Sequence, residues 1–277
     1  MVRPDCLDAA LAHLAQPGAI AVAGATWVLR APLRHEPAAP LWVVLDGIAA
    51  LHHIAFGADR VRIGALATHE QLAQRLPDAP DLRALAQAAA AAANPGVRRI
   101  ATLGGNLCAS DFASADLVPA LLALDATAEV ATPAGPERIP LAAFLERRAA
   151  AGPFLLAGVS VERSTRLSAH ARLPMRKAGD YPAAIVSLSA ALDAEGRIAD
   201  LRVAVGAVEA CARRWAELEA RAQGQPPDPA AMAGLAQELA GAFTPRDGLD
   251  APGWYRLRVL PALVRRAFEQ LGKDIGA

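Results

Sequence analysis

The sequence predicts an α+β protein of two domains, and three observations carry that prediction. The chain is 277 residues long, enough to bury a substantial core and, at roughly one domain per 100–200 residues, to form two of them. Up to about residue 165, short β-like runs and helical runs are interspersed. Beyond it, three strand-like runs precede three helical ones, the grouping expected when helices pack on one face of an antiparallel sheet. The domains are therefore drawn at 1–165, with subdomains of about 1–52 and 53–165, and at 166–277.

Taken in order, apolar positions at helical spacing over 5–16 predict a first helix with Asp5 as its N-cap. "AIAVAG" (19–24) and "LWVVLDG" (41–47) read as strands of a small βαβ-like or split unit. "HHIAFGADRVRIGALAT" reads as two strands around a Gly-Ala-Asp turn. A helix follows from Thr68 to about Gln74, then an Ala-rich one from Asp81 to Ala93 that Asn94-Pro95-Gly96 terminates. "TLGGN" (102–106) reads as a loop, and Ser114 as the cap of a helix from Ala115 to Leu124. "TAEVAT" and "FLLAGVSVE" complete the strands of the first domain. In the second, strands are expected at 172–176, 184–192 and 201–208. Helices follow at 213–222, at 228–241 after the linker "GQPPDP", and at 254–271.

Composition narrows the function. Hydrophobic residues make up 54% of the chain, and acids and bases balance at 28 each. This is a globular composition without the basic footprint of a nucleic-acid binder or a membrane-surface protein. Cys6, Cys108 and Cys211 are too few and too scattered for a disulfide framework or a cysteine-held metal or iron–sulfur site. The N-terminal stretch lacks a signal-peptide pattern, and no apolar run of about 18 residues occurs. A soluble cytoplasmic protein is expected. Lysine, asparagine and tyrosine are used only twice each: Lys177 and Lys273, Asn94 and Asn106, Tyr181 and Tyr255.

The chemistry concentrates in two glycine-bearing segments at strand ends, "AGAT" at 23–26 and "TLGGN" at 102–106. Glycine lets the backbone approach a ligand, and successive exposed N–H groups form an anion-binding concavity. Two such segments can grip a pyrophosphate from both sides, with hydroxyl donors on Thr26 and Thr102 and an amide on Asn106. Asp116 either complements a helix dipole or accepts hydrogen bonds from ribose hydroxyls. Neither G-x-G-x-x-G nor G-x-x-x-x-G-K-[ST] is present, so a bound nucleotide is not held in the Rossmann or P-loop way. His52 and His53 form no metal-ligand pattern.

"NPGVRRIATLGGN…SADLVPALLALDA" resembles the flavin-binding segment of the FAD (medium) subunits of molybdenum hydroxylases, the carbon monoxide dehydrogenase and xanthine dehydrogenase family. "AVAGAT", "RIGALATHEQLA", "RKAGDYPAAIVSLSAAL" and "VGAVEACARR" resemble further segments in the same order, so the likeness runs over nearly the whole chain. It implies a p-cresol methylhydroxylase-type FAD-binding domain of two α/β subdomains. A CO-dehydrogenase flavoprotein-like C-terminal domain, a three-stranded antiparallel sheet plus helices, would follow. The implied cofactor is FAD, its pyrophosphate enclosed by the backbone of Ala23, Gly24, Ala25 and Thr26 and of Thr102, Gly104, Gly105 and Asn106, with Ala101 and Cys108 flanking. Asp116 matches the ribose contact and Leu156 an apolar residue against the isoalloxazine. Lys177 matches a lysine near the flavin pyrimidine, and Tyr181 an aromatic by the ring. A cation near N1 and the C2 oxygen would raise the flavin's potential. Cys108 reads as a small apolar filler rather than a redox thiol.

The implied function is an electron-transfer subunit, passing electrons from a 2Fe–2S small subunit through FAD to an external acceptor. A molybdopterin large subunit completes a heterotrimer, single or doubled. The alternatives are a flavin-free structural subunit of such a complex and a stand-alone flavin oxidase of the same fold. The sequence departs from the family pattern at Ala25, whose methyl is expected to hinder a positive φ or hold a phosphate further off. It departs again at Trp27 and in the rebuilt "SDFAS" loop.

Overall fold

The computed structural model describes every residue except 77–78, 150–151, 177–179, 249 and 276–277, with only the backbone described at 274–275. The chain packs as two compact units. One comprises residues 1–71, 95–110 and 125–163, the other 72–94, 111–124 and 164–277.

In the first unit, strands β1 (Ala19–Val22) and β2 (Leu41–Val44) pair in parallel, Ala19 opposite Leu41. A 3-10 helix, Val28–Arg34, lies between them in sequence. The preceding helix spans Leu7–Leu14. Cys6 stands at its N-cap with no side-chain capping bond, so the expected Asp5 cap is not formed. Strands β3 (Ile54–Phe56), β4 (Arg60–Gly64), β5 (Thr127–Thr132), β6 (Gly135–Pro140) and β7 (Leu155–Glu162) make an antiparallel sheet in the order β3-β4-β7-β5-β6. Central strand β7 is buried at seven of its eight positions. Leu155 on this strand joins Leu11, Val43, Leu45, Leu51 and Leu66 in one apolar cluster.

Two helices of this unit depart from expectation. Asn94-Pro95-Gly96 does not simply end a helix: Pro95 opens a new short one, Pro95–Arg98, because proline's missing N–H costs nothing in a first turn. "TLGGN" is not a loop. Leu103–Cys108 is helical, and the Thr102 side chain caps it by accepting from the Gly105 N–H at 3.1 Å.

In the second unit, strands β8 (Leu167–Pro174), β9 (Pro182–Leu192), β10 (Ile198–Gly206) and the two-residue β11 (Arg213–Arg214) form an antiparallel sheet in the order β11-β10-β9-β8. The expected strand at 172–176 thus begins five residues earlier. Arg213 and Arg214 pair with Val205 and Ala204 rather than opening a helix, which starts at Ala216. The last helix is two, Gly253–Arg258 and Leu260–Ile275, divided where Pro261 cannot continue the hydrogen-bond ladder. Asp228 caps Pro229–Leu239 by accepting from the Ala231 N–H.

Helices cover both faces of this sheet, not one. Ala169, Ala171, Val186 and Leu188 face a core containing Trp215, Leu263, Phe268 and Leu271. The alternate residues Ser168, His170 and Arg172 meet the Arg83–Ala91 helix and its flanks: Ser168 Oγ accepts from the Ala84 N–H, and Arg172 donates to the Ala91 carbonyl. This two-sided cover explains why β9 is buried at nine consecutive positions. The Leu117–Ala123 helix packs against β9 and β10. It starts two residues later than expected, and Asp116, not Ser114, occupies its N-cap position without a side-chain capping bond.

Candidate cofactor site

A cavity of about 390 Å3 opens in the first unit. Its wall brings together β1 (Ala19, Ala21) and Ala23 just after it, the glycine pair Gly104 and Gly105, Cys108, Arg148 and the start of β7 (Leu155, Leu156). Of the residues singled out in the sequence, Ala23, Gly104, Gly105, Cys108 and Leu156 line this one space.

The two glycine-bearing segments are tied into the unit differently. At Gly24, an added Cβ would stand 1.7 Å from the Ile100 carbonyl oxygen, so the first segment lies directly on the backbone that leads into the second. Ala25 adopts φ 58°: the methyl does not prevent the left-handed conformation, at a cost of roughly 1–2 kcal/mol relative to ordinary backbone. Among the described residues, the amides of Gly24, Ala25 and Thr26 donate to no protein acceptor. Trp27 turns to another task. The Arg34 guanidinium lies 4.1 Å from its ring centroid, donates to its carbonyl and pairs with Glu36 through two 2.6 Å bonds, fastening the 3-10 helix.

The second segment is different in kind. Leu103 donates to Ala67 O, Gly104 to Ala65 O at 2.7 Å, Gly105 to Thr102 Oγ1 and Asn106 to Thr102 O. The expected row of free amides is therefore engaged within the protein. Gly104 is required by packing, since its Cβ would meet Ala65 Cβ at 2.9 Å. Gly105 faces more open space, with only Thr102 Oγ1 nearby at 3.1 Å. Ala101 accepts from the His69 N–H. The His69 imidazole is 3% exposed, and neither ring nitrogen has a hydrogen-bond partner among the described residues. Burial, with the nearby Arg98 charge, lowers it to about 4.

Cys108 is not a buried filler. Its surface is open to solvent at the cavity wall, while dense protein around the sulfur disfavours the thiolate and pushes the thiol up to about 12. The thiol is therefore held in its neutral form. Arg148 follows the Leu141–Arg147 helix, and its Nη1 donates to the Leu107 carbonyl at the end of the Leu103–Cys108 helix.

Asp116 and Tyr181 belong to the second unit, and Lys177 lies outside the described residues. Asp116 is 3% exposed, with Oδ1 2.8 Å from Arg172 Nε. That contact is a close ion pair whose angle is not that of a hydrogen bond. Burial raises the Asp116 carboxyl toward about 7, against the opposing pull of Arg172. Arg172 is itself fixed by the carbonyls of Ala91 and Asp180. Tyr181 is half-buried, edge-on to Phe112 with ring centroids 5.5 Å apart. The rebuilt loop carrying Phe112 is pinned to this unit by a bond from the Ala207 N–H to Ala113 O. His52 and His53 are exposed.

The comparisons with known proteins agree on what such a chain is. Residues 1–157 match the family described as the FAD binding domain in molybdopterin dehydrogenase. The chain belongs to this family. Residues 169–271 match the CO dehydrogenase flavoprotein C-terminal domain, so the chain is an FAD-binding oxidoreductase subunit. The xanthine dehydrogenase FAD-binding subunit of Escherichia coli O157:H7 is 28% identical over 269 residues, covering 92% of this chain and 89% of that subunit. Solved structures share the fold. A chain of quinoline 2-oxidoreductase from Pseudomonas putida 86 matches with a TM-score of 0.87 at 24% identity, covering 98% of this chain and 96% of its own. One of carbon monoxide dehydrogenase from Hydrogenophaga pseudoflava reaches 0.88 at 23%, with the same coverage.

The residues of the FAD-binding subunit fit its cofactor. The cavity combines a glycine face without a side chain, an apolar wall at Leu156 and one guanidinium, and Ala23 on its wall leads into residues 24–26, whose amides have no protein acceptor among the described residues. Anionic phosphates and a flat apolar ring need these groups. Sequence reasoning missed Arg148, His69 and Arg172. Arg148 had no readable signal, being one of two arginines at a helix end. Arg172 had one, the alternation of Ser168, His170 and Arg172 along β8.

Proposed function

We propose that this chain is the electron-transfer subunit of a molybdenum hydroxylase, receiving electrons from a 2Fe–2S partner subunit and delivering them to an external acceptor. A molybdopterin-carrying large subunit completes a heterotrimer that works in the cytoplasm. The observation that carries the reading is the convergence of Ala23, the Gly104–Gly105 pair and Leu156 on one cavity. FAD, when bound, supplies the redox chemistry.

The chain's own groups bind and orient. The amides of Gly24, Ala25 and Thr26 take the pyrophosphate, with Thr26, Thr102 and Asn106 as polar neighbours and Ala101 and Cys108 flanking. Leu156 supports the isoalloxazine, Asp116 accepts from the ribose, Lys177 serves the pyrimidine side, and Tyr181 shields the ring. Partner subunits are favoured because Cys6, Cys108 and Cys211 are all free, and no group of metal-ligating side chains occurs among the described residues. The relatives include proteins named as subunits of complexes, such as the nicotine 6-hydroxylase medium subunit.

The engaged amides of the second segment favour one other reading, a subunit that has kept the fold without the flavin. An absorption spectrum of the purified chain, alone and with its partner subunits, separates the two when the released cofactor is identified by mass. One FAD per chain is expected. A fully assembled but colourless complex would establish the flavin-free reading instead.

A further inference from the structure

The cavity holds a cation whose charge no carboxylate among the described residues answers. Arg148 is half-buried on the wall shared with Ala23, Gly105 and Leu156. Its Nη1 donates to the Leu107 carbonyl, which fixes the guanidinium in place. Among the described residues, its Nε and Nη2 have no acceptor and no carboxylate lies within ion-pair distance. Withdrawing a guanidinium even partly from water without a counter-charge is costly, so such a group marks a place where an anion belongs. Cys108 beside it cannot supply that anion, because its thiol is held neutral.

We propose that Arg148 is the counter-charge for the FAD pyrophosphate. The assignment rests on the FAD reading given above. Two diphosphate charges need donors, and the amides of Leu103, Gly104, Gly105 and Asn106 are already engaged. That leaves the first segment's amides and, among the described residues, the Nε–Nη2 edge of the Arg148 guanidinium. A planar guanidinium with two parallel N–H groups suits phosphate oxygens. It also compensates for the amides the second segment withholds.

The test compares FAD with riboflavin, which has the ring and no phosphate, as ligands of the full-length flavin-depleted protein. Arg148→Gln and Arg148→Lys are titrated beside the wild type at two salt concentrations. Arg148→Gln is expected to weaken FAD on the order of ten- to a hundred-fold, the loss of one charge-assisted contact, and to leave riboflavin unchanged. The salt dependence of FAD binding should flatten, and Arg148→Lys should restore most of the affinity. Unchanged riboflavin binding also reports that the variant is folded. Equal losses for both ligands would place Arg148 against the ring, and no loss for either would leave it a helix-end residue; both results overturn the proposal. If Arg148→Gln does not fold, Arg148→Lys carries the test: a salt slope for FAD matching that of riboflavin would refute the assignment. A wild-type protein that takes up neither ligand sinks the FAD reading itself, and this assignment with it.

Discussion

Segments 23–26 and 102–106 both reach the same cavity, the first through Ala23 after β1 and the second through Gly104 and Gly105 at the start of a helix, and they use their backbones in opposite ways. In the first, the space beside the glycine is filled by neighbouring backbone at Ile100, the left-handed position is an alanine, and three consecutive amides lack acceptors among the described residues. In the second, a threonine caps a short helix, and four amides are engaged by Thr102, Ala65 and Ala67. The difference teaches that glycine content does not by itself locate an anion site. Gly24 and Gly104 exist to let backbones pack, and the donors available to a ligand must be counted one N–H at a time.

The largest effect follows from that packing. Gly24→Ala places a methyl within 1.7 Å of the Ile100 carbonyl, a collision with backbone that no rotamer relieves. It should cost roughly 3 kcal/mol or more and release FAD together with the fold, read as a lower urea midpoint. Gly105→Ala meets only Thr102 Oγ1, at 3.1 Å. It should weaken FAD while leaving the midpoint within about 1 kcal/mol of the wild type. If both variants unfold alike, the two segments do not differ as argued.

Behind the second segment, His69 gives a pH signature. Its folded-state pKa, about 4, lies below the ordinary 6.5, so between those values the unfolded chain binds the extra proton. Stability is therefore intact above pH 6.5 and falls as pH drops toward 4, by about 3 kcal/mol for this group. His170 in the second unit, lowered to about 3 by burial and then by Arg172, acts in the same direction. Asp116 opposes them: its raised pKa favours folding below 3.8, a contribution lost as pH rises through about 7. Two groups against one leave the acid side less stable. Urea midpoints at pH 7.5 and 5 should diverge in the wild type and converge in His69→Gln, and equal divergence in both would show that His69 does not titrate this way.

A smaller effect isolates the cap. Thr102→Ala removes the bond from the Gly105 N–H and should cost about 1 kcal/mol, measured in urea. If the freed amide then turns to the ligand, FAD affinity will hold or improve despite the lost stability. A parallel loss of affinity and stability would mean instead that Thr102 contributes a direct contact.

These contrasts also mark what the sequence made legible. Strands β1, β2, β3, β4 and β5, the long strands of the second unit and the Asp228-capped helix follow from alternation, turn residues and a proline in the first turn. "LGGNLC" was not readable as a helix, because two glycines each disfavour one by roughly 1 kcal/mol. Bonds to Ala65 and Ala67, nearly forty residues away, override that penalty. In β8, which begins before the expected strand at 172–176, Ser168, His170 and Arg172 alternate with apolar residues, a pattern that also fits a face turned to solvent. They are covered because residues 83–91, from the other half of the chain, lie on that face. Five of the proposed FAD residues meet at one cavity. Arg148, placed by the end of a helix and not by any pattern, could be found only in three dimensions.

The smallest expected effect decides most about the first segment. Ala25 holds φ 58°, a conformation glycine adopts freely, while glycine also gains roughly 0.5–1 kcal/mol of freedom in the unfolded chain. The two terms nearly cancel, so Ala25→Gly should move the urea midpoint by less than about 1 kcal/mol. Its effect on binding is not subject to that cancellation. Removing the methyl lets a phosphate approach the amides of Gly24, Ala25 and Thr26 more closely, and FAD should bind several-fold tighter, by roughly one neutral hydrogen bond's worth. Riboflavin should not notice the change. Unaltered FAD affinity in a variant of unaltered stability would mean that the phosphates do not touch this segment. The amides at 24–26 would then be ordinary solvated backbone, and the contrast between the two segments would have no bearing on the cofactor.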